Sequence, residues 1–121
     1  MTVVEHLSEL RGRLVICIIA NHWKGEYVWT VHVRTAVKLG ISQSVFDAIC
    51  AGQAPVLDNE RERAVYDLAK IAIEAGAGSD EVFARAERLL GRNGIAEVLA
   101  LLGYYSSVAM AVKLHRVPVP A

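Results

Sequence analysis

Leu14-Val15-Ile16-Cys17-Ile18-Ile19-Ala20 is apolar at every position, and the reading of this run decides the fold. Upstream of it, Leu7, Leu10, Leu14 and Ile18 recur at steps of three and four residues, the spacing of one face of an α-helix. A helix that starts with one apolar stripe and becomes apolar on all sides runs into the middle of a molecule, so this first helix is expected to be central. Asn21 to Gly25 interrupts it.

Downstream, the punctuation remains helical. A second helix is expected from about Glu26 to Leu39, stopped by Gly40 at a C′ position. Ser42 can cap a short helix through Val45, Phe46, Ile49 and Cys50, with Cys50 on its apolar side and Gly52 closing it. Gln53 to Leu57, with Pro55, reads as loop. Asn59 followed three residues later by Glu62 resembles a capping box, and the helix it opens carries Val65, Leu68, Ala72 and Ala75 on one stripe before Gly76-Ala77-Gly78 ends it. Ser79, Asp80 and Glu81 start the next, with Val82/Phe83, Ala86 and Leu89/Leu90 as its core face. Gly91-Arg92-Asn93-Gly94 reads as a turn into a last, very apolar helix from about Ile95 to Leu114. Lys113, His115 and Arg116 complement the dipole at its end, and Val117-Pro118-Val119-Pro120-Ala121 is expected to be an extended arm. No run alternates with period two. The class is all-α: one domain over residues 1–121, of about six helices.

Composition narrows the function. Lys+Arg and Asp+Glu each number 13, for a net charge of +0, which leaves no cationic excess to displace counterions from nucleic acid. A hydrophobic content of 54% in 121 residues, with a mean hydropathy of +0.33, exceeds what so small an interior can hide, so the chain is expected to be an oligomer. The uncharged stretch Val98–Val112 is shorter than the roughly 20 residues of a membrane span and reads as a core helix. The start, Met1-Thr2-Val3-Val4-Glu5-His6, has no signal-peptide pattern, so the cytoplasm is expected. The two cysteines, Cys17 and Cys50, form no CxxC pair and read as free, reduced thiols. No two histidines stand at i and i+4 with a carboxylate, so no metal is expected. Gly76-Ala77-Gly78 lacks the strand-turn-helix setting of a phosphate loop, and no cofactor is expected.

The segment Glu26-Tyr27-Val28-Trp29-Thr30-Val31-His32-Val33, with Ala36, Gly40-Ile41-Ser42 and Ile49 after it, resembles the signature helix of the carboxymuconolactone decarboxylase and AhpD-like family. The resemblance extends through Leu7–Ala20, Glu60–Gly78, Ser79–Phe83, Gly94–Val98, Leu102-Gly103-Tyr104-Tyr105 and Val117-Pro118, in order and over nearly the whole chain. Many members carry a further helical stretch ahead of this point. The resemblance implies an AhpD-like helical subunit that assembles as a homotrimer or homohexamer. AhpD-like peroxidases place a CxxC pair ahead of the histidine, and those positions are Gly25 and Val28 here; an upstream glutamate of their proton relay corresponds to Arg13. Only His32 of that set is present, so the peroxiredoxin activity of such members is not the expected one.

What the resemblance then implies is a cofactor-free acid/base enzyme, of lyase or isomerase type, acting on a small organic acid or lactone. His32 would transfer the proton, since an imidazole near neutral pH can give or take one. It is alternatively a structural histidine held by a neighbouring helix. Trp29, one turn earlier, would wall the substrate pocket or serve as a core aromatic. Glu26 would be a second acid/base, or a first-turn carboxylate complementing the helix dipole. Arg13 would grip a substrate carboxylate with two hydrogen bonds, or lie solvated beside Glu9 and Arg11. Glu97, Tyr104 and Tyr105 are polar points in an apolar helix; they would line the pocket, Tyr105 touching substrate, or join subunits. The alternative function is a non-catalytic oligomer of the same family that binds a small molecule.

Overall fold

A computed structural model describes residues 3–74 and 79–120 of the chain. Five helices follow one another: α1 (Val3–His22), α2 (Glu26–Leu39), α3 (Gln43–Cys50), α4 (Glu60–Ile73) and α5 (Asp80–Leu114), with no strand among the described residues. Gly76-Ala77-Gly78, Ala75 and Ala121 lie outside the described residues.

Helix α1 is the axis of the fold, packed against each of the other four. Leu14 to Ala20 are all buried, at 0–5% exposure, because the four other helices all pack against α1. Phe46 of α3, Val65 and Leu68 of α4, and Ala86, Val98 and Leu102 of α5 complete one continuous core around it.

The corners share one device. At Gly40 the N–H groups of Gly40 and Ile41 bond back to the carbonyls of Val37 and Ala36, and at Gly52 those of Gly52 and Gln53 bond to Ile49 and Ala48. Both glycines take left-handed backbone (φ 115° and 75°), which is the Schellman closure of a helix. The same pattern ends α1 at Lys24, with Lys24 N–H to Asn21 O and Gly25 N–H to Ala20 O, and ends α5 at Arg116, with Arg116 N–H to Lys113 O and Val117 N–H to Val112 O. Lys24 and Arg116 adopt φ of 55° and 54°, a conformation that costs a side-chain-bearing residue about 1–2 kcal/mol. The N-caps follow the sequence: Ser42 accepts from Ser44 N–H, Asn59 from Arg61 and Glu62 N–H, and Ser79 from Val82 N–H.

Four expectations need correction. The turn at Gly91–Gly94 shrinks to a single non-helical residue, Gly91 (φ 71°, ψ 173°), across which α5 continues as two segments. Gly91 takes a backbone conformation essentially reserved for glycine, while Gly94 is helical and yields to packing: a Cβ there would stand 2.8 Å from Leu90 Cβ. Cys50 is exposed, not buried in the apolar side of α3. On α4 the buried stripe is Ala64, Val65, Leu68 and Ala69, and Ala72 faces out. Phe83 is 48% exposed, so the first half of α5 enters the core through Ala86 instead.

The second half of α5 is apolar on both sides. Val98, Leu102 and Ala109 are buried, yet Leu99, Tyr104, Met110 and Leu114 on the outer side are 40–79% exposed. By length and composition α5 could cross a membrane. Here it packs on α1 and α4, with its outer face uncovered.

Candidate active site

The Schellman turn at Lys24 sends α2 back along α1, so that the middle of α2 lies beside the middle of α1. Gly25 sits where this hairpin presses on α5: a Cβ on Gly25 would stand 3.3 Å from Ala109 Cβ. The hairpin brings His32 of α2 against Arg13 of α1, and the guanidinium of Arg13 donates a hydrogen bond to His32 Nδ1. Tyr105 of α5 closes the third side, its ring meeting the imidazole edge-on at 5.3 Å and 81°. Tyr104, 63% exposed, stacks edge-on against Tyr105 at 5.1 Å. A line of rings therefore runs from His32 to the outer face of α5.

The electrostatics follow from this geometry. A guanidinium has donors and no acceptor, so His32 Nδ1 must offer its lone pair and the ring proton belongs on Nε2. Burial, and after it the positive charge of Arg13, lowers the His32 pKa from 6.5 to about 4. At neutral pH His32 is a neutral imidazole whose Nε2–H is a donor, not a base. Of the two expected directions, giving or taking a proton, this arrangement favours donation from Nε2.

Trp29 and Glu26 belong to a different corner. The helix advances about 100° per residue, so Glu26 and His32, six positions apart, point about 120° away from each other. Trp29 packs edge-on against Phe46, with centroids 6.2 Å apart, and also walls a hollow of about 210 Å³ with Asn21, Lys24, Glu26 and Cys50. Trp29 is thus a core aromatic that also lines a hollow, and that hollow does not include His32. Glu26 is exposed in the first turn of α2, with no described hydrogen bond to His32. Lys24 and Cys50 were not singled out for this hollow from the sequence; nothing in their local spacing marks them, because α1, α2 and α3 bring them together only on folding. Glu97 lines a separate hollow of about 360 Å³, and a third, of about 220 Å³, lies beside Tyr66 and Asn21. The pocket expected around His32 is none of these three.

The two thiols differ: Cys50 is exposed and lines the hollow at Trp29, whereas Cys17 is in the core. Cys17 is fully buried in α1, and burial pushes its pKa from 9.0 up to about 12 despite the opposing charge of Arg13. A thiol so protonated has almost no thiolate to react.

No family model, no curated protein and no solved structure matches the chain.

Proposed function

We propose that the protein is a member of the carboxymuconolactone decarboxylase and AhpD-like family that works as a cofactor-free acid/base enzyme, of lyase or isomerase type, on a small organic acid or lactone. The observation that carries this reading is the Arg13–His32 pair. An anionic substrate would engage the guanidinium of Arg13 through paired hydrogen bonds, while His32 Nε2–H donates to its carbonyl oxygen. A neutral imidazole used in this way stabilises an enolate as it forms. Binding of the carboxylate would also neutralise Arg13 and release Nδ1, removing one of the two causes that keep the imidazole from taking a proton. The lyase and isomerase options share this proton handling. A panel of small lactones and keto acids tests it: turnover is expected with the natural chain and lost in His32→Asn, and a genuine substrate turned over equally well by His32→Asn would sink the proposal.

Self-association belongs to the same reading. The chain exposes 7427 Å², against about 6,400 Å² for a compact monomer of its mass. The outer side of α5 between Leu99 and Val112, a stretch with no charged residue, exposes Leu99, Tyr104 and Met110. A second copy of the chain, in a homotrimer or homohexamer, would cover this face and enclose Tyr104 and the open side of the His32 corner. Light scattering should give a multiple of 13.2 kDa, reduced by Leu99→Glu; a monodisperse monomer would remove this part of the proposal.

The second reading is a non-catalytic small-molecule-binding member of the family. It is favoured by the occupied Nδ1 of His32 and by the three hollows that open elsewhere. Ligand binding without turnover across the same panel would select it.

A further inference from the structure

Two helix corners meet at the hollow of about 220 Å³. One is the Schellman turn that ends α1 at Lys24. The other ends α3 at Gly52, whose left-handed backbone folds Gln53 N–H back onto Ala48 O at 2.9 Å. Asn21 ties the two corners, its side-chain N–H donating to Ile49 O at 3.2 Å. Helix α4 closes the hollow with Tyr66 and Lys70, and Ile18, Ile49 and Ile73 give it an aliphatic floor. His32 is elsewhere: its partner Arg13 lies about 12 Å from Asn21 along α1, at the rise of a helix.

The polar groups on this hollow are mixed in kind. Lys24 and Lys70 only donate hydrogen bonds, whereas Tyr66, Gln53, Asn21 and His22 can both donate and accept. No carboxylate lines it among the described residues. The charges around it are largely matched. Glu74 holds Lys70 at 2.9 Å, so that pair adds no net charge. Asp67, which with Lys70 and Glu74 acts on Tyr66, is engaged by Arg85 at 3.4 Å. Glu26 stands with Lys24 on the neighbouring hollow, yet Lys24 forms no ion pair among the described residues. Lys24 also holds φ 55°, a backbone that glycine takes more readily. Arg116 has the same backbone but lines none of the three hollows, so strain by itself marks no site. What distinguishes Lys24 is the hollow it stands on.

We propose that this hollow binds a small sugar acid, with its carboxylate at Lys24, its hydroxyls among Tyr66, Gln53, Asn21 and His22, and its C–H face on the isoleucines. The volume is below the roughly 300–1,000 Å³ of sites for drug-sized ligands, which suits a single ring. Hydroxyls donate and accept, as the carboxamides and the phenol do. An apolar acid would leave those groups unpaired, and a neutral sugar would leave the Lys24 ammonium unmatched.

Glucuronate is the probe, titrated into the full chain by calorimetry and followed by methyl resonances. Saturable binding is expected, with shifts at Ile49 and Ile73. Glucose, which lacks the charge, and acetate, which lacks the hydroxyls, should each bind about tenfold more weakly or worse. Lys24→Gly should lose binding by about tenfold or more while resisting urea better than the natural chain, so that the loss is not a loss of fold. Lys24→Arg should retain binding, and Tyr66→Phe should weaken it about fivefold. Arg116→Gly, which relieves the same strain, and His32→Asn should both bind as the natural chain does. Glucose or acetate binding as tightly as glucuronate, undiminished binding by Lys24→Gly, shifts centred on Arg13 and His32, or no saturation at millimolar glucuronate would each overturn the proposal.

Discussion

Arg13 donates to the Nδ1 of His32 across the α1–α2 hairpin, so that a permanent cation faces the ring atom that would otherwise take up a proton. Replacing Arg13 by Gln should raise the His32 pKa from about 4. It should stay below 6.5, because burial is the larger cause and persists. Titration of the His32 ring by NMR measures this, and an unchanged value would show that the guanidinium does not set it.

Stability should fall toward both ends of the pH scale. Between pH 6.5 and about 4 the unfolded chain protonates His32 while the native chain does not, so His32's contribution is full above pH 6.5 and is lost as pH falls. Cys17 works in the opposite direction: the native thiol keeps its proton to about 12 while the unfolded one loses it near 9.0, so its contribution is lost as pH rises through that window. Tyr66, also raised by burial, adds to the alkaline loss, and Glu62, raised likewise, opposes His32 on the acid side. Urea midpoints measured against pH should show a shallower acid limb in His32→Asn and a shallower alkaline limb in Cys17→Ala.

The bend of α5 needs two glycines for different reasons. Gly91→Ala should cost about 1–3 kcal/mol through backbone strain, since Gly91 holds φ 71° and ψ 173°. Gly94→Ala should destabilise through its 2.8 Å approach to Leu90 Cβ. Paired with Leu90→Gly, which removes that Cβ, it should show a favourable coupling of about 0.5–3 kcal/mol in a double-mutant cycle. Additive losses would mean that Leu90 moves aside without cost.

At the corners where side chains occupy left-handed backbone, glycine should be the better residue. Lys24→Gly and Arg116→Gly are each expected to raise stability by about 0.5–1 kcal/mol, read from the urea midpoint. Gly40→Ala, at φ 115°, should lower it by a similar amount.

What the sequence determined by itself is everything governed by neighbours along the chain. The apolar run Leu14–Ala20 made α1 central, and Ser42, Asn59, Ser79 and Gly40 marked helix ends because capping uses backbone groups only two to five residues away. It did not show that Lys24 and Arg116 end helices as glycines do, since their own chemistry opposes that conformation and only the surrounding packing imposes it. Tertiary structure alone decided the rest. The distance from Arg13 to His32 along the chain says nothing of their contact, the separation of Trp29 and Glu26 from His32 depends on the turn of one helix against its neighbours, and the hollow beside Lys24 and Tyr66 exists because three helices meet there. Contacts between distant residues follow from how packed elements fit together, and periodicity carries no record of that fit.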